Sequence, residues 1–376
     1  MKSKGSTFYF PIDGNVYPDG YYTVTMSIGN PPKSYVLDVD TGSDLTWVQC
    51  DSVPFLQPPS DPYYELTPKV VVLCHDPACI ALGSLSDHVC DPPLYDQPCV
   101  FNAHYDDGVS SEGILVRDSV RLAFRNGGTV APKLAFGCGY PKKDGVSIHQ
   151  PIRDGILGLG KGATGILKQL RDMGVIRNVV GHCLSSQGGG YLFFGAIHLL
   201  GIAWKRISRE AEQYFLGSAN ILLGGEATDI RGLDIVFDSG STYTYFNSNA
   251  YSALLDLLTR NLNRRLKDAV DILPVCWGGE RPIGSIGEVA SYFLPLAFNF
   301  IDENVIDQNV QFQMDPKSYL LITDKGNVCL GILNGSEVGL NDYTNLIGAI
   351  SMQDKLVIYD NEKGRVGWTA VKTCNI

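Results

Sequence analysis

One motif occurs twice in this 376-residue chain, and that repetition limits its folds more than any other feature. In the first half, Tyr35-Val-Leu-Asp-Val runs into Asp40-Thr41-Gly42-Ser43. In the second, Leu233-Asp-Ile-Val-Phe runs into Asp238-Ser239-Gly240-Ser241. Tyr21-Tyr22 and Ile28-Gly29 precede the first copy; Tyr214-Phe215 and Ile221 to Gly224 precede the second. Two apolar residues and a glycine follow each at similar separation, Ile156-Leu157-Gly158 and Leu346-Ile347-Gly348. Repeated order and spacing predict two similar lobes. Tyr22 to Ile28 alternates with period two and closes at Gly29-Asn-Pro-Pro, which predicts a strand. Helical spacing is confined to 165–173, with Ile166, Leu167 and Leu170 on one face, and to 249–267, capped by Asn247 or Ser248. The expected architecture is all-β and bilobal, with a few short helices and a central cleft. The N-terminal lobe is expected over 1–195 and the C-terminal lobe over 196–376.

The motif carries its own chemistry. An apolar strand delivers a carboxylate into a partly dry site, and the glycine permits a tight turn whose N–H groups face it. Ser43 and Ser241 can donate to the neighbouring carboxylates, while Thr41 and Ser239 can reach across and lock the two turns together. If the turns meet, Asp40 and Asp238 come within hydrogen-bond distance. Like charges about 3 Å apart in a dry site cannot both ionise, so the pair shares one proton. Such a pair can activate a water for attack on a peptide carbonyl, with no metal, cofactor or covalent intermediate. A lone Asp-Thr-Gly reads equally well as a plain turn; the duplication argues against that.

Other features narrow the class. A formal net charge of −10 argues against a phosphate-binding surface and so against nucleic acid. No run reaches the roughly 18 apolar residues of a membrane span. The opening Met1-Lys-Ser-Lys-Gly-Ser-Thr lacks an apolar leader core, so the chain reads as a mature form with leader and pro-segment removed; a cytosolic protein remains open on this point. Ten cysteines are present without a Cys-x-x-Cys or paired-His zinc pattern, which favours disulfides and an oxidising compartment. The Pro- and Cys-rich stretch from Asp51 to Cys99 reads as a surface excursion held by cross-links. Asp38, on the same strand face as Asp40, has too few companions for a metal site and reads as structural or as an electrostatic neighbour. Among six scattered histidines, only His104 stands near a position of interest. Gly188-Gly-Gly190 lacks the Lys-Ser/Thr of a phosphate loop and reads as a turn linking lobes. Asn334-Gly-Ser336 is a glycosylation sequon.

Asp40-Thr-Gly-Ser, Asp238-Ser-Gly-Ser, the two apolar-apolar-Gly segments and the ending Val357-Ile-Tyr-Asp360 with Arg365-Val-Gly-Trp368 together resemble the pepsin family of aspartic proteases. Within it, Asp38-Val-Asp40 through Cys50, Phe136-Gly-Cys138-Gly and the Cys-rich excursion are similar to the plant nucellin-like and nepenthesin-like subgroup. The resemblance implies an endopeptidase with Asp40 and Asp238 catalytic, favoured by acid and sensitive to pepstatin-type inhibitors. Trp47 and Tyr105 match the family's tryptophan and the tyrosine of a flap closing over extended polypeptide substrates, and with Thr242 they are expected in the flap and substrate cleft. It also implies Cys50–Cys138, Cys74–Cys99, Cys79–Cys90, Cys183–Cys374 and Cys276–Cys329, a monomer, and a secretory destination, extracellular or vacuolar. Three departures stand out: Asp106 in the flap where glycine is commoner, no second cysteine soon after Cys50, and Ser239 in place of threonine. Two other classes compete. A protease-shaped binding protein similar to plant xylanase inhibitors would typically lack part of the catalytic set, and a two-carboxylate glycosidase would not explain the duplication.

Overall fold

Side chains buried at alternate positions mark several of the strands that dominate this chain. Along Tyr21–Ile28 the residues Tyr22, Val24, Met26 and Ile28 are buried while Thr25 is exposed. The next strand, Lys33–Asp40, buries Tyr35, Leu37 and Val39 and pairs antiparallel with it, Val24 opposite Leu37 and Met26 opposite Tyr35. Removing such side chains from water supplies roughly 1.5–3 kcal/mol each. The computed structural model describes residues 6–375 except 51–63, 84–95, 106–108, 125–126, 144–145, 148–153, 198–199, 209, 263–264, 301–309 and 341–342.

The sequence echo becomes an echo of topology. In the first half, Lys33–Asp40 lies antiparallel to Tyr21–Ile28 and parallel to Gly155–Gly158. That last strand runs antiparallel to Trp47–Gln49, which is parallel to Lys133–Lys143. In the second half, Leu233–Phe237 lies antiparallel to Phe215–Leu223 and parallel to Thr344–Ile347. Thr344–Ile347 runs antiparallel to Thr244–Phe246, which is parallel to Ile332–Asn334. The two patterns match step for step. The fold is mostly β, built from two such halves.

A sheet of antiparallel strands from the two chain ends and the middle of the chain joins the halves. Ala203–Arg206, Arg365–Ala370, Lys355–Asp360, Val179–Leu184, Gly190–Phe194 and Phe8–Asn15 lie side by side in that order. This corrects the reading of Gly188-Gly-Gly190 as a turn linking lobes. The three glycines have φ of +90°, +70° and +142°, and they turn the chain from Val179–Leu184 back into Gly190–Phe194 within one sheet.

Both expected helices form. Ile166–Asp172 buries Ile166, Leu167 and Leu170, and Gln169 ties it to the sheet, accepting from Ala135 N at 2.7 Å and donating to Ala135 O at 2.9 Å. Ser248–Leu262 buries Leu254, Leu258 and Leu262, with Leu255 half-buried. Asn247 caps it, its Oδ1 accepting from Ala250 N at 3.0 Å. It stops five residues short of the expected end, since Lys267 already belongs to a strand paired with Cys276–Gly278.

Cys50–Cys138, Cys183–Cys374 and Cys276–Cys329 are bonded as the resemblance implies. The Cys-rich stretch differs. Cys79 bonds Cys99, with Cα atoms 5.8 Å apart, which excludes both Cys74–Cys99 and Cys79–Cys90. Backbone pairing explains the change: Cys99 N donates to Val72 O while Cys74 N donates to Gln97 O, so Cys74 and Cys99 are offset along facing segments. The short helix Pro77–Ile80, capped by the Asp76 side chain on Ala78 N, then turns Cys79 back onto Cys99. Cys74 is also disulfide-bonded, and Cys90 lies outside the described residues.

Candidate active site

Each repeated strand ends in a turn that grips its own carboxylate. Gly42 N donates to Asp40 Oδ1 at 2.7 Å and Ser43 Oγ to Asp40 Oδ2. Gly240 N donates to Asp238 Oδ1 at 2.9 Å and Ser241 Oγ to Asp238 Oδ2 at 2.7 Å. The turns also grip each other. Thr41 N donates to Ser239 Oγ at 3.1 Å, Ser239 N donates to Thr41 Oγ1 at 2.9 Å, and Ser239 Oγ donates to Val39 O at 2.7 Å. The serine thus makes the bridge with its hydroxyl and backbone N–H, without a threonine's methyl.

The glycines set how closely the turns approach. A Cβ on Gly42 would stand 2.6 Å from the Asp238 carboxyl carbon, and one on Gly240 2.4 Å from Asp40 Oδ1. Each backbone therefore lies flat against the opposite carboxylate. The apolar-apolar-Gly strands cross behind: a Cβ on Gly158 would meet Asp44 O at 2.7 Å, and one on Gly348 would meet Tyr243 O at 1.9 Å. Leu159 N donates to Asp40 O at 2.7 Å and Asp238 N to Ile347 O at 3.1 Å, pinning both turns to those strands.

The Asp238 carboxyl group lies close enough to Asp40 for its charge to act on it directly. Asp40 is 6 % exposed, and burial, followed by the Asp238 charge, holds its pKa well above the usual carboxylate range. Asp238 is half-buried. Asp40 is therefore the member that holds a proton more readily than an ordinary carboxyl. One member can then take a proton from water while the other donates to a carbonyl oxygen.

The pair opens into a cleft of about 500 Å³. Trp47, Tyr105 and Thr242 all line it, together with Ser43 and Ser241. Tyr105 directly follows the strand Val100–His104, one arm of a hairpin whose other arm is Val109–Ala123, and its hydroxyl accepts from Trp47 Nε1 at 2.6 Å. Thr242 donates to Gly20 O. Asp106 lies outside the described residues. His104 is exposed and Asp38 half-buried on the cleft wall, where Asp38 sits between Thr23 and Ile156 in the sheet. Asn334 does not line the cleft; it caps Gly335–Val338, with its side-chain nitrogen donating to Glu337 at 3.1 Å.

Gln49, Gln213 and Tyr245 also line the cleft and were not singled out from sequence. Tyr245 had a signal: it lies between buried Thr244 and Phe246, so alternation puts it on the open face. Gln213 had none. Among the described residues, no group of three His, Cys, Asp or Glu could hold a metal ion, and no helix is long and apolar enough to cross a membrane.

Family models described as xylanase inhibitor N-terminal and xylanase inhibitor C-terminal match residues 22–196 and 213–370. An aspartic proteinase of Oryza sativa subsp. japonica is 40% identical over 380 residues, covering 96% of this chain and 90% of the rice protein. Aspartic proteinase 39 of Arabidopsis thaliana is 26% identical over 384 residues, covering 95% of this chain and 76% of the relative. The crystal structure of soybean basic 7S globulin superposes with a TM-score of 0.75 at 16% identity, covering 99% of this chain and 97% of the globulin. With 40% identity sustained over nearly its whole length, the chain belongs to the pepsin family of plant aspartic proteases.

Proposed function

We propose that the protein is an active aspartic endopeptidase, secreted or vacuolar, in which Asp40 and Asp238 activate a water between them. One observation carries the reading: both carboxylates, all four of their N–H and hydroxyl donors, and the Trp47–Tyr105 pair are present and joined. An extended polypeptide lies in the cleft between lobes spanning 1–195 and 196–376, under the Tyr105 hairpin, its backbone supplying affinity and its side chains selectivity. The ionised carboxylate takes the water's proton as oxygen attacks the scissile carbonyl. The protonated partner donates to the carbonyl oxygen, and the proton then passes to the leaving amine. The disulfides would suit an oxidising compartment, and Asn334 is the candidate glycan site. Membership of the nucellin-like subgroup is part of the same reading.

A second reading is a protease-shaped binding protein, favoured by the xylanase-inhibitor family models and the globulin likeness. A peptide-library digest from pH 3 to 7, with and without pepstatin, separates the two. Cleavage that pepstatin blocks supports the peptidase; no cleavage at any pH leaves the binding protein.

A further inference from the structure

We infer that Tyr359 is a positioning residue for the catalytic pair: its buried hydroxyl accepts the Thr41 hydroxyl proton and steadies the Asp40 turn, and His182 holds that phenol from behind. The inference rests on the peptidase reading above.

The argument begins with an imbalance between two matched hydroxyls. Ser239 Oγ accepts from Thr41 N and donates to a backbone carbonyl, Val39 O, at 2.7 Å. Thr41 Oγ1 accepts from Ser239 N in the same way. Its own proton is directed at Tyr359 Oη, 3.5 Å away. Buried hydroxyls without an acceptor cost about 1–3 kcal/mol, so this long bond is the outlet for the Thr41 proton.

The phenol is itself fixed. Tyr359 and His182 sit on neighbouring antiparallel strands, Lys355–Asp360 and Val179–Leu184, and neither is exposed at all. His182 Nε2 lies 3.3 Å from Tyr359 Oη, and Met352 Sδ lies 3.7 Å from it. Among the described residues His182 Nδ1 has no hydrogen-bond partner. A leucine of similar size would avoid that cost; what the imidazole supplies is its contact to the phenol. A second phenol, packed against the first, braces the same turn. Tyr214 Oη donates to Leu159 O at 2.9 Å, Leu159 N donates to Asp40 O, and the Tyr214 and Tyr359 rings are 4.4 Å apart. Burial raises the Tyr359 pKa, with Tyr214 and the Asp238 charge adding to it against the Thr41 bond, so the phenol stays neutral wherever the catalytic pair works.

The test uses the full-length purified protein and one quenched peptide substrate, with kcat and KM measured from pH 3 to 7. Tyr359→Phe keeps the ring and should fold, with kcat down about tenfold, KM nearly unchanged, and the acid limb of the pH profile displaced. His182→Leu should move in the same direction, while His182→Gln, which retains a polar atom towards the phenol, should restore most of the rate. If Tyr359→Phe and His182→Leu both match the wild type in kcat and pH profile, the brace is ruled out. If the wild type itself cleaves nothing, the peptidase reading fails, and this inference falls with it.

Discussion

The Asp40 and Asp238 turns are the same object built twice and placed in different surroundings. Each carboxylate accepts one glycine N–H and one serine hydroxyl. Beyond that they diverge. Asp40 is buried, next to a half-buried Gly42, with Trp47 and Tyr105 on the cleft side and the phenols of Tyr214 and Tyr359 behind. Asp238 is half-buried and Gly240 exposed. The residue after each serine differs too. Asp44 Oδ1 accepts from Gly162 N at 2.8 Å within the first half, whereas Thr242 donates to Gly20 O across to it. Local sequence therefore fixes the inner bonds of each acid-bearing turn, and packing decides how Asp40 titrates.

Replacing the acids should break the comparison most sharply. Asp40→Asn and Asp238→Asn should each lower kcat by about a thousandfold or more, since general acid–base catalysis alone contributes 10²–10⁴. They should differ in stability. A carboxyl whose folded pKa is raised lends its stability in full below the unfolded pKa, near ~3.9, and loses it as pH rises through the folded value. Asparagine at 40 does not titrate, so the melting temperature of that variant should fall less between pH 4 and 7 than the wild type's. Equal slopes would mean Asp40 is not the strained member.

The serines come next. Ser43→Ala and Ser241→Ala each remove a donor to a carboxylate, worth about 1.5–3 kcal/mol. Rates should fall on the order of ten- to a hundredfold, more for Ser43 because its acceptor is the more buried. A larger loss at Ser241 would reverse that ranking.

His182 gives a smaller effect of opposite sign to Asp40. Burial pushes its pKa down to about 3, so its stability is present above the unfolded value and lost as pH falls. With an unfolded pKa near ~6.5 the cost reaches about 2 kcal/mol at pH 5. His182→Gln should therefore melt higher than the wild type at pH 4–5 but not at pH 7. A parallel shift at both pH values would mean the histidine is not buried neutral. Smallest is Trp47→Phe, which removes the donor to Tyr105 and should raise KM a few-fold with the fold intact. An unchanged KM would detach the flap tyrosine from its neighbour.

Much of this was legible because it is local or periodic. Strands from Tyr22 to Ile28 and into Asp40 follow from alternation, and the helix from Ile166 follows from 3.6-residue spacing. The halves could be matched because the motif and its following apolar-apolar-Gly recur in order. Long-range partners were not legible. Cys79 and Cys99 pair because a one-turn helix redirects the chain, and no cysteine spacing records that. Tyr359 reads as one more apolar position in a fully buried strand, and nothing near it in sequence says its hydroxyl meets Thr41.

By itself the sequence determined the two acid-bearing turns, since hydrogen bonds spanning two or three residues follow from residue type and a glycine's missing Cβ. Only the tertiary structure decided that Asp40 is the buried member, that Tyr359 and His182 stand behind it, and which cysteines join. The reason is physical: burial and electrostatic coupling depend on atoms brought near from hundreds of residues away, and those distances exist only once the sheets have packed.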